Sequence, residues 1–140
     1  MKMLYQAILF SLLWSLSVQA SGLPTLSDLS RFRWENRLVL IDNDKNHTET
    51  LTWLVQKNAE VNGRDILWFI LHQDSVATNY SGKITSDFAS QVRQIYRIGQ
   101  SQMLLIGKDG GVKSRLDQVD LQAIFTEIDA MPMRRREMRD

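Results

Sequence analysis

Arg37-Leu38-Val39-Leu40-Ile41-Asp42 is a continuous apolar run flanked by two charges. An uninterrupted run of this length is the pattern of a strand covered on both faces, since a strand with one wet face would alternate. It therefore belongs inside a sheet that carries helices on either side. After it, Leu51, Leu54, Val55 and Val61 recur at helical spacing, and Asn62-Gly63 ends the pattern as a helix terminus does. A second apolar run, Ile66-Leu67-Trp68-Phe69-Ile70-Leu71, follows. A strand reached through a helix lies parallel to the strand before it, so this stretch predicts a βαβ unit.

The rest of the chain extends that unit. Residues 72–85 are polar, contain Asn79, Ser81 and Gly82, and show no sustained period, which predicts a long loop. A short helix over about 86–97 sets Phe88, Val92 and Ile95 on one face. Met103-Leu104-Leu105-Ile106 and residues 112–116 read as strands joined by Gly107-Lys108-Asp109-Gly110-Gly111, where Asp-Gly is a strong hairpin signal. The second of these strands alternates, with Lys113 and Arg115 opposite Val112, Ser114 and Leu116, as an edge strand does. Leu121, Ile124, Phe125, Ile128 and Met131 then mark a helix that Pro132 closes. The order strand, helix, strand, helix, strand, hairpin, strand, helix predicts an α/β, thioredoxin-like three-layer domain with a mixed sheet.

The first twenty residues predict export. Lys2 precedes an apolar run over 4–16, and Val18-Gln19-Ala20 offers small residues at the positions a signal peptidase reads. The run is interrupted by Gln6, Ser11, Ser15 and Ser17 and is shorter than the roughly 20 residues that span a bilayer. Residues 1–20 are thus expected to be a signal peptide and 21–140 a single soluble domain, periplasmic or secreted, with no membrane span after cleavage. The chain contains no cysteine. That excludes thiol and dithiol chemistry by its own side chains, disulfide staples and a lipidated cysteine after cleavage. Lysine and arginine total 17 against 16 aspartates and glutamates, so overall charge does not direct the domain to nucleic acid.

In a thioredoxin-like domain the reactive thiol follows the first strand, where the positive end of the next helix stabilises a thiolate. Here that stretch is Asp42-Asn43-Asp44-Lys45-Asn46-His47-Thr48-Glu49, and Ile98-Gly99-Gln100-Ser101-Gln102 stands where a proline usually precedes the third strand.

Three stretches carry a family resemblance: residues 32–40 (Phe-Arg-Trp-Glu-Asn-Arg-Leu-Val-Leu), 105–113 (Leu-Ile-Gly-Lys-Asp-Gly-Gly-Val-Lys) and 128–138 (Ile-Asp-Ala-Met-Pro-Met-Arg-Arg-Arg-Glu-Met). Together they resemble the P-DUDES domain, a family of unknown function found in short exported bacterial proteins and as modules of vertebrate extracellular matrix and sushi-repeat proteins. The resemblance implies a thioredoxin-like or peroxiredoxin-like fold and supplies no catalytic residues to carry over.

Two groups of residues are candidates for function. Asp42, Asp44, His47, Glu49 and His72 supply oxygen and nitrogen donors near the carboxyl ends of the first two strands, where α/β sheets bind ligands. Asp42, Asp44 and Asn46 imitate the start of a calcium loop, but His47 and Trp53 occupy the positions that need Gly and Glu. The same composition is explained by Asn46 as a helix cap, Glu49 closing a capping box and acids complementing the helix dipole. No spacing matches a zinc motif, a Ser-His-Asp triad or a phosphate-binding glycine loop, and no cofactor is implied. The second group is Arg134, Arg135, Arg136 and Arg139, flanked by Met133 and Met138, which could grip an unknown acidic protein, lipid phosphate or other anionic partner, or form a solvated tail or a cap paired with Glu137 and Asp140. Phe32, Trp34, Trp53 and Trp68 read as core, and the sequons at Asn46 and Asn79 as chance. A non-catalytic binding module is the primary expectation. A cysteine-independent enzyme or metal-binding protein, with oxidative-stress defence as the role the peroxiredoxin-like resemblance suggests, is the alternative.

Overall fold

The computed structural model describes residues 29–42 and 45–140. The expected signal peptide over 1–20, and Asp44 among the candidate ligands, lie outside the described residues.

Among the described residues five strands form one mixed sheet. The central strand β1 (Arg37–Asp42) is buried along its whole length and runs parallel to β2 (Ile66–His72), with Arg37 opposite Ile66 and Asp42 opposite Leu71. On its other side β1 pairs antiparallel with β4 (Met103–Ile106), which pairs antiparallel with β5 (Val112–Leu116). The strand order is β3-β2-β1-β4-β5. This is the expected thioredoxin-like arrangement, with β1 placed centrally as its apolar run requires.

The fifth strand, β3 (Ser75–Thr78), corrects the expectation of a loop over 72–85. It turns back on β2 through the two-residue link Gln73-Asp74, and Gln73 takes a left-handed φ of 53°. No glycine or asparagine advertises this turn, and the strand is too short to show a period. Asn79 extends the pairing with its side chain: Oδ1 accepts from the Trp68 N–H and Nδ2 donates to the Ile66 carbonyl.

Period-2 alternation in the inner strands sends successive side chains to opposite faces and so makes two cores. Leu38, Leu40, Phe69, Leu71, Leu104 and Ile106 meet Phe88, Ala89 and Val92 of helix α3 (Phe88–Tyr96) and, from the 3-10 turn Ser30–Phe32, Phe32. Val39, Ile41, Trp68, Ile70, Met103 and Leu105 meet the other layer. That layer comprises α1 (His47–Gln56), α2 (Asn58–Gly63) and α4 (Leu121–Asp129), which bury Leu54, Val61 and Ile124 among others. The single helix expected between the first two strands is divided at Lys57 into α1 and α2.

Pro132 closes α4 as expected but also opens α5 (Pro132–Glu137), where a ring with fixed φ and no N–H suits the first helical position. The arginine-rich end is therefore helical, and one turn of it is bolted to the sheet. Arg37 starts β1 with only 1% of its side chain exposed. Its guanidinium donates to both carboxylate oxygens of Glu137, at 3.1 and 3.2 Å, and to the Arg64 carbonyl at 3.0 Å. Lys108, at the β4–β5 turn, donates to Glu137 at 2.7 Å and to Asp65 at 2.8 Å. Arg64 lies over the Phe125 ring and makes a two-pronged contact with Asp129 at 3.0 and 2.7 Å. Arg134 adds weaker contacts to Asp129 and Glu137 and donates to the Gly63 carbonyl at 2.7 Å.

This network makes stability depend on acid. Burial pushes the Glu137 carboxyl up, but hydrogen bonds from Lys108 and Arg37 outweigh it and hold the group below its ordinary range. Asp129 is held down by its bond to Arg64, partly offset by burial. A carboxyl depressed in the folded state binds protons more readily in the unfolded chain, so its contribution is complete above the ordinary carboxylate range and is lost as pH falls through the folded values. Removing Glu137 also strands a buried guanidinium. We expect Glu137→Ala to lower unfolding free energy by about 3 kcal/mol in denaturant titrations at neutral pH, and to flatten the loss of stability on acidification. Arg135→Ala, on the exposed side of the same helix, should change it by no more than about 0.5 kcal/mol.

Candidate functional site

The carboxyl ends of β1 and β2 bring together some of the sequence candidates and separate others. Asp42, the last residue of β1, is 3% exposed and its Oδ1 accepts from Arg93 Nε on α3 at 2.9 Å. The carboxylate is thus already engaged by an internal cation. Its backbone is tied as well: the Asp42 N–H donates to the Gln102 carbonyl and the Asp42 carbonyl accepts from the Ser101 N–H at 2.7 Å. Ser101 adopts a left-handed φ of 62° in the segment 98–102 that precedes β4 without a proline. Arg93 went unnoticed in the sequence because it lies 51 residues from its partner and no local pattern links them.

His47 begins α1 and His72 ends β2. Parallel pairing of β1 and β2 places both at one edge, and their rings stack with centroids 4.6 Å apart and planes 19° from parallel. The expectation that the two histidines share the carboxyl edge is met by a direct contact. Glu49 does not join them. It lines an open groove of about 680 Å³ together with Lys45, Asn46, Trp53, Ser101 and Asp120, and neither histidine reaches that groove. Asn46 occupies the N-cap position of α1 but makes no side-chain cap bond, so the capping box expected with Glu49 is not formed. Among the described residues no three histidines, aspartates or glutamates are grouped closely enough to hold a metal ion.

The arginine cluster divides in two. Arg134 turns inward to Asp129, Glu137 and Gly63, as described above. Arg135, Arg136 and Arg139 are exposed and surround, with Pro132 and Met138, a cleft of about 510 Å³. None of these three forms an ion pair with a described residue. The carboxylates nearest in the fold are committed: Glu137, Asp129 and Asp65 neutralise Arg37, Arg64, Lys108 and Arg134, four cations against three anions.

The aromatic expectations hold for three of four residues. Phe32 and Trp68 are buried, and Trp53 packs half-buried on Phe125 with ring centroids 5.4 Å apart. Trp34 is instead 65% exposed.

A double-mutant cycle isolates the ion pair at the β1 terminus. We expect Asp42→Asn and Arg93→Gln each to destabilise the fold, with a coupling energy of about 1–3 kcal/mol. A coupling near zero would mean that the two side chains act independently.

Comparison with known proteins places the fold and leaves the chemistry open. The chain is similar in structure to the mitochondrial 2-Cys peroxiredoxin from Plasmodium falciparum, with a TM-score of 0.54 and 15% sequence identity over 74% of this chain and 79% of that one. At that identity the likeness is one of fold. No curated protein matches the sequence significantly. Residues 28–137 match the model of a domain of unknown function, DUF4174, and since that match spans β1 to α5 this chain belongs to the DUF4174 family.

Proposed function

We propose that this thioredoxin-like domain is an exported, non-catalytic binding module whose recognition surface is the outward face of α5, and that its partner presents anionic groups. One observation carries the reading. Helix α5 spends Arg134 and Glu137 on docking to the sheet and leaves Arg135, Arg136 and Arg139 facing solvent around a cleft. Guanidinium groups with no internal carboxylate are ready donors for a phosphate, sulfate or carboxylate, because each presents a planar fork of N–H groups. The docked turn holds their backbone in place, so less order has to be created on binding. The lack of any cysteine and the engagement of Asp42 by Arg93 support a non-catalytic role at the opposite end. The resemblance to P-DUDES modules and the leader-like first twenty residues support export.

The test uses inorganic polyphosphate as a soluble polyanion. We expect salt-sensitive binding by calorimetry, weakened at least about tenfold, or about 1.4 kcal/mol, in the triple variant R135A/R136A/R139A, whose melting should match wild type. Equal binding by the two proteins, or none by either, would remove α5 as the recognition surface. The protein recovered from the cell envelope or medium should begin at Ser21; a retained leader would contradict export by cleavage.

The His47–His72 stack favours a second reading, a weak site for a divalent first-row transition metal. Neutral imidazoles suit zinc, copper and nickel, and a bound ion would require the rings to swing until one nitrogen of each converges on it. A ligand that binds only the folded state raises its melting temperature by mass action. On this reading Zn²⁺ or Cu²⁺ raises the melting temperature of wild type and leaves His47→Ala and His72→Ala unmoved. An unmoved wild type rules the site out.

A further inference from the structure

We infer that the anionic partner is an extended acidic peptide, added as a strand to the outer edge of β5 and continued into the cleft beside α5. This rests on the binding-module reading and names its partner. The strand order leaves β3 and β5 as the edges of the sheet, and among the described residues β4 is the only strand beside β5. Every second residue of such an edge turns its N–H and C=O away from the sheet, so an incoming chain meets a row of donors and acceptors.

The edge leads to the outward arginines. Lys113, the second residue of β5, lines a cleft of about 400 Å³ together with Lys108 of the β4–β5 turn and with Met131, Pro132, Met133 and Arg136. Pro132 and Arg136 also line the cleft of about 510 Å³ that Arg135, Met138 and Arg139 surround. The shared residues make the two clefts adjoin and connect the start of β5 to the exposed face of α5. Within the first cleft most of the charge is settled internally. Arg37 and Lys108 are held by Glu137 and Asp65, and Lys113 folds back over Gly107 to hold Asp109 at 2.7 Å. Arg136 forms no ion pair with a described residue. A cleft lined by methionine and proline with one guanidinium left open suits a peptide that carries an apolar side chain beside a carboxylate.

The charges of β5 select among the chains that could pair with it. A second copy added antiparallel about Ser114 would set Lys113 of one chain opposite Arg115 of the other, and like charges directly opposite destabilise a strand pair. An acidic strand reverses that sign. The other edge, β3, reads Ser-Val-Ala-Thr and offers no charge to an acidic chain. A phosphate group, free or on a lipid, would engage the arginines and make no use of the strand edge. Backbone pairing along β5, an apolar cleft at its start and guanidinium groups beyond it are together what an extended acidic segment can use.

The probes are labelled synthetic peptides in which a short run of alternating valine and threonine is joined to a run of glutamates, made in both orders and followed by fluorescence anisotropy with the full chain. We expect at least one order to bind, the counterpart with lysines in place of glutamates to stay free, and the β5 amides to exchange hydrogen more slowly in the complex. Methylation of alternate backbone nitrogens in the valine–threonine run can be placed in two phases. One phase removes the N–H groups that face β5 and should abolish binding, while the other turns its methyl groups outward and should preserve it. Arg136→Ala, with melting unchanged, should weaken the peptide at least about tenfold. No binding in either order, equal binding of the lysine peptide, the same response to both phases of methylation, or full affinity in Arg136→Ala would overturn the proposal. Polyphosphate binding without peptide binding would leave the anion surface standing and remove the peptide, whereas loss of both would remove both. Phosphatidylglycerol vesicles that bind where the peptide does not would overturn it in favour of a bilayer, and a dimer with protected β5 amides in the absence of peptide would overturn it in favour of a second copy.

Discussion

A guanidinium sealed at the start of the central strand is the constraint on which this molecule turns. Arg37 occupies the first position of β1, where both faces of the sheet are covered, and a buried cation must be hydrogen-bonded and neutralised to be tolerated. The chain meets that need with Glu137, one hundred residues away in the last turn of α5. Closing the pair draws the C-terminal segment across the amino-terminal ends of β1 and β2, where Lys108, Arg64, Asp65, Asp129 and Arg134 complete the neutralisation. Which arginines stay available is then a matter of helix geometry. The side chains on the docked face are consumed, and those on the other face point to solvent.

The two ends of the sheet are correspondingly different. At the carboxyl ends of the strands, where related folds place their chemistry, this chain has a carboxylate locked to Arg93, a backbone clasp between Asp42 and Ser101, and a stacked histidine pair. The chain has no cysteine to place at that edge. At the amino-terminal end Arg135, Arg136, Arg139 and Met138 stand exposed around a cleft.

Much of this was legible in the sequence because strand burial and strand pairing leave local traces. The apolar runs at β1, β2 and β4, the alternation in β5 and the Asp-Gly hairpin gave those strands and their order, and the helical period gave α3 and α4 to within a few residues. What escaped had no local trace. β3 is four residues long and follows a turn made without glycine, and its end is held by an asparagine side chain rather than by more strand. Tryptophan is a residue type of cores, yet Trp34 is 65% exposed, at a left-handed φ of 70° that no local pattern announces.

The candidate residues divide along the same line. The sequence by itself determined the absence of thiol chemistry, the α/β class, the buried central strand and a cationic end after Pro132, since these depend on composition and on periods of two and about 3.6 residues. Only the tertiary structure decided that Asp42 belongs to Arg93, that His47 and His72 stack, that Arg134 is internal while Arg135, Arg136 and Arg139 are not, and that Trp34 stands in solvent. Charge pairing and ring contact are set by which residues a fold brings within a few ångströms, and chain spacing carries no record of that when the partners lie 25 to 100 residues apart.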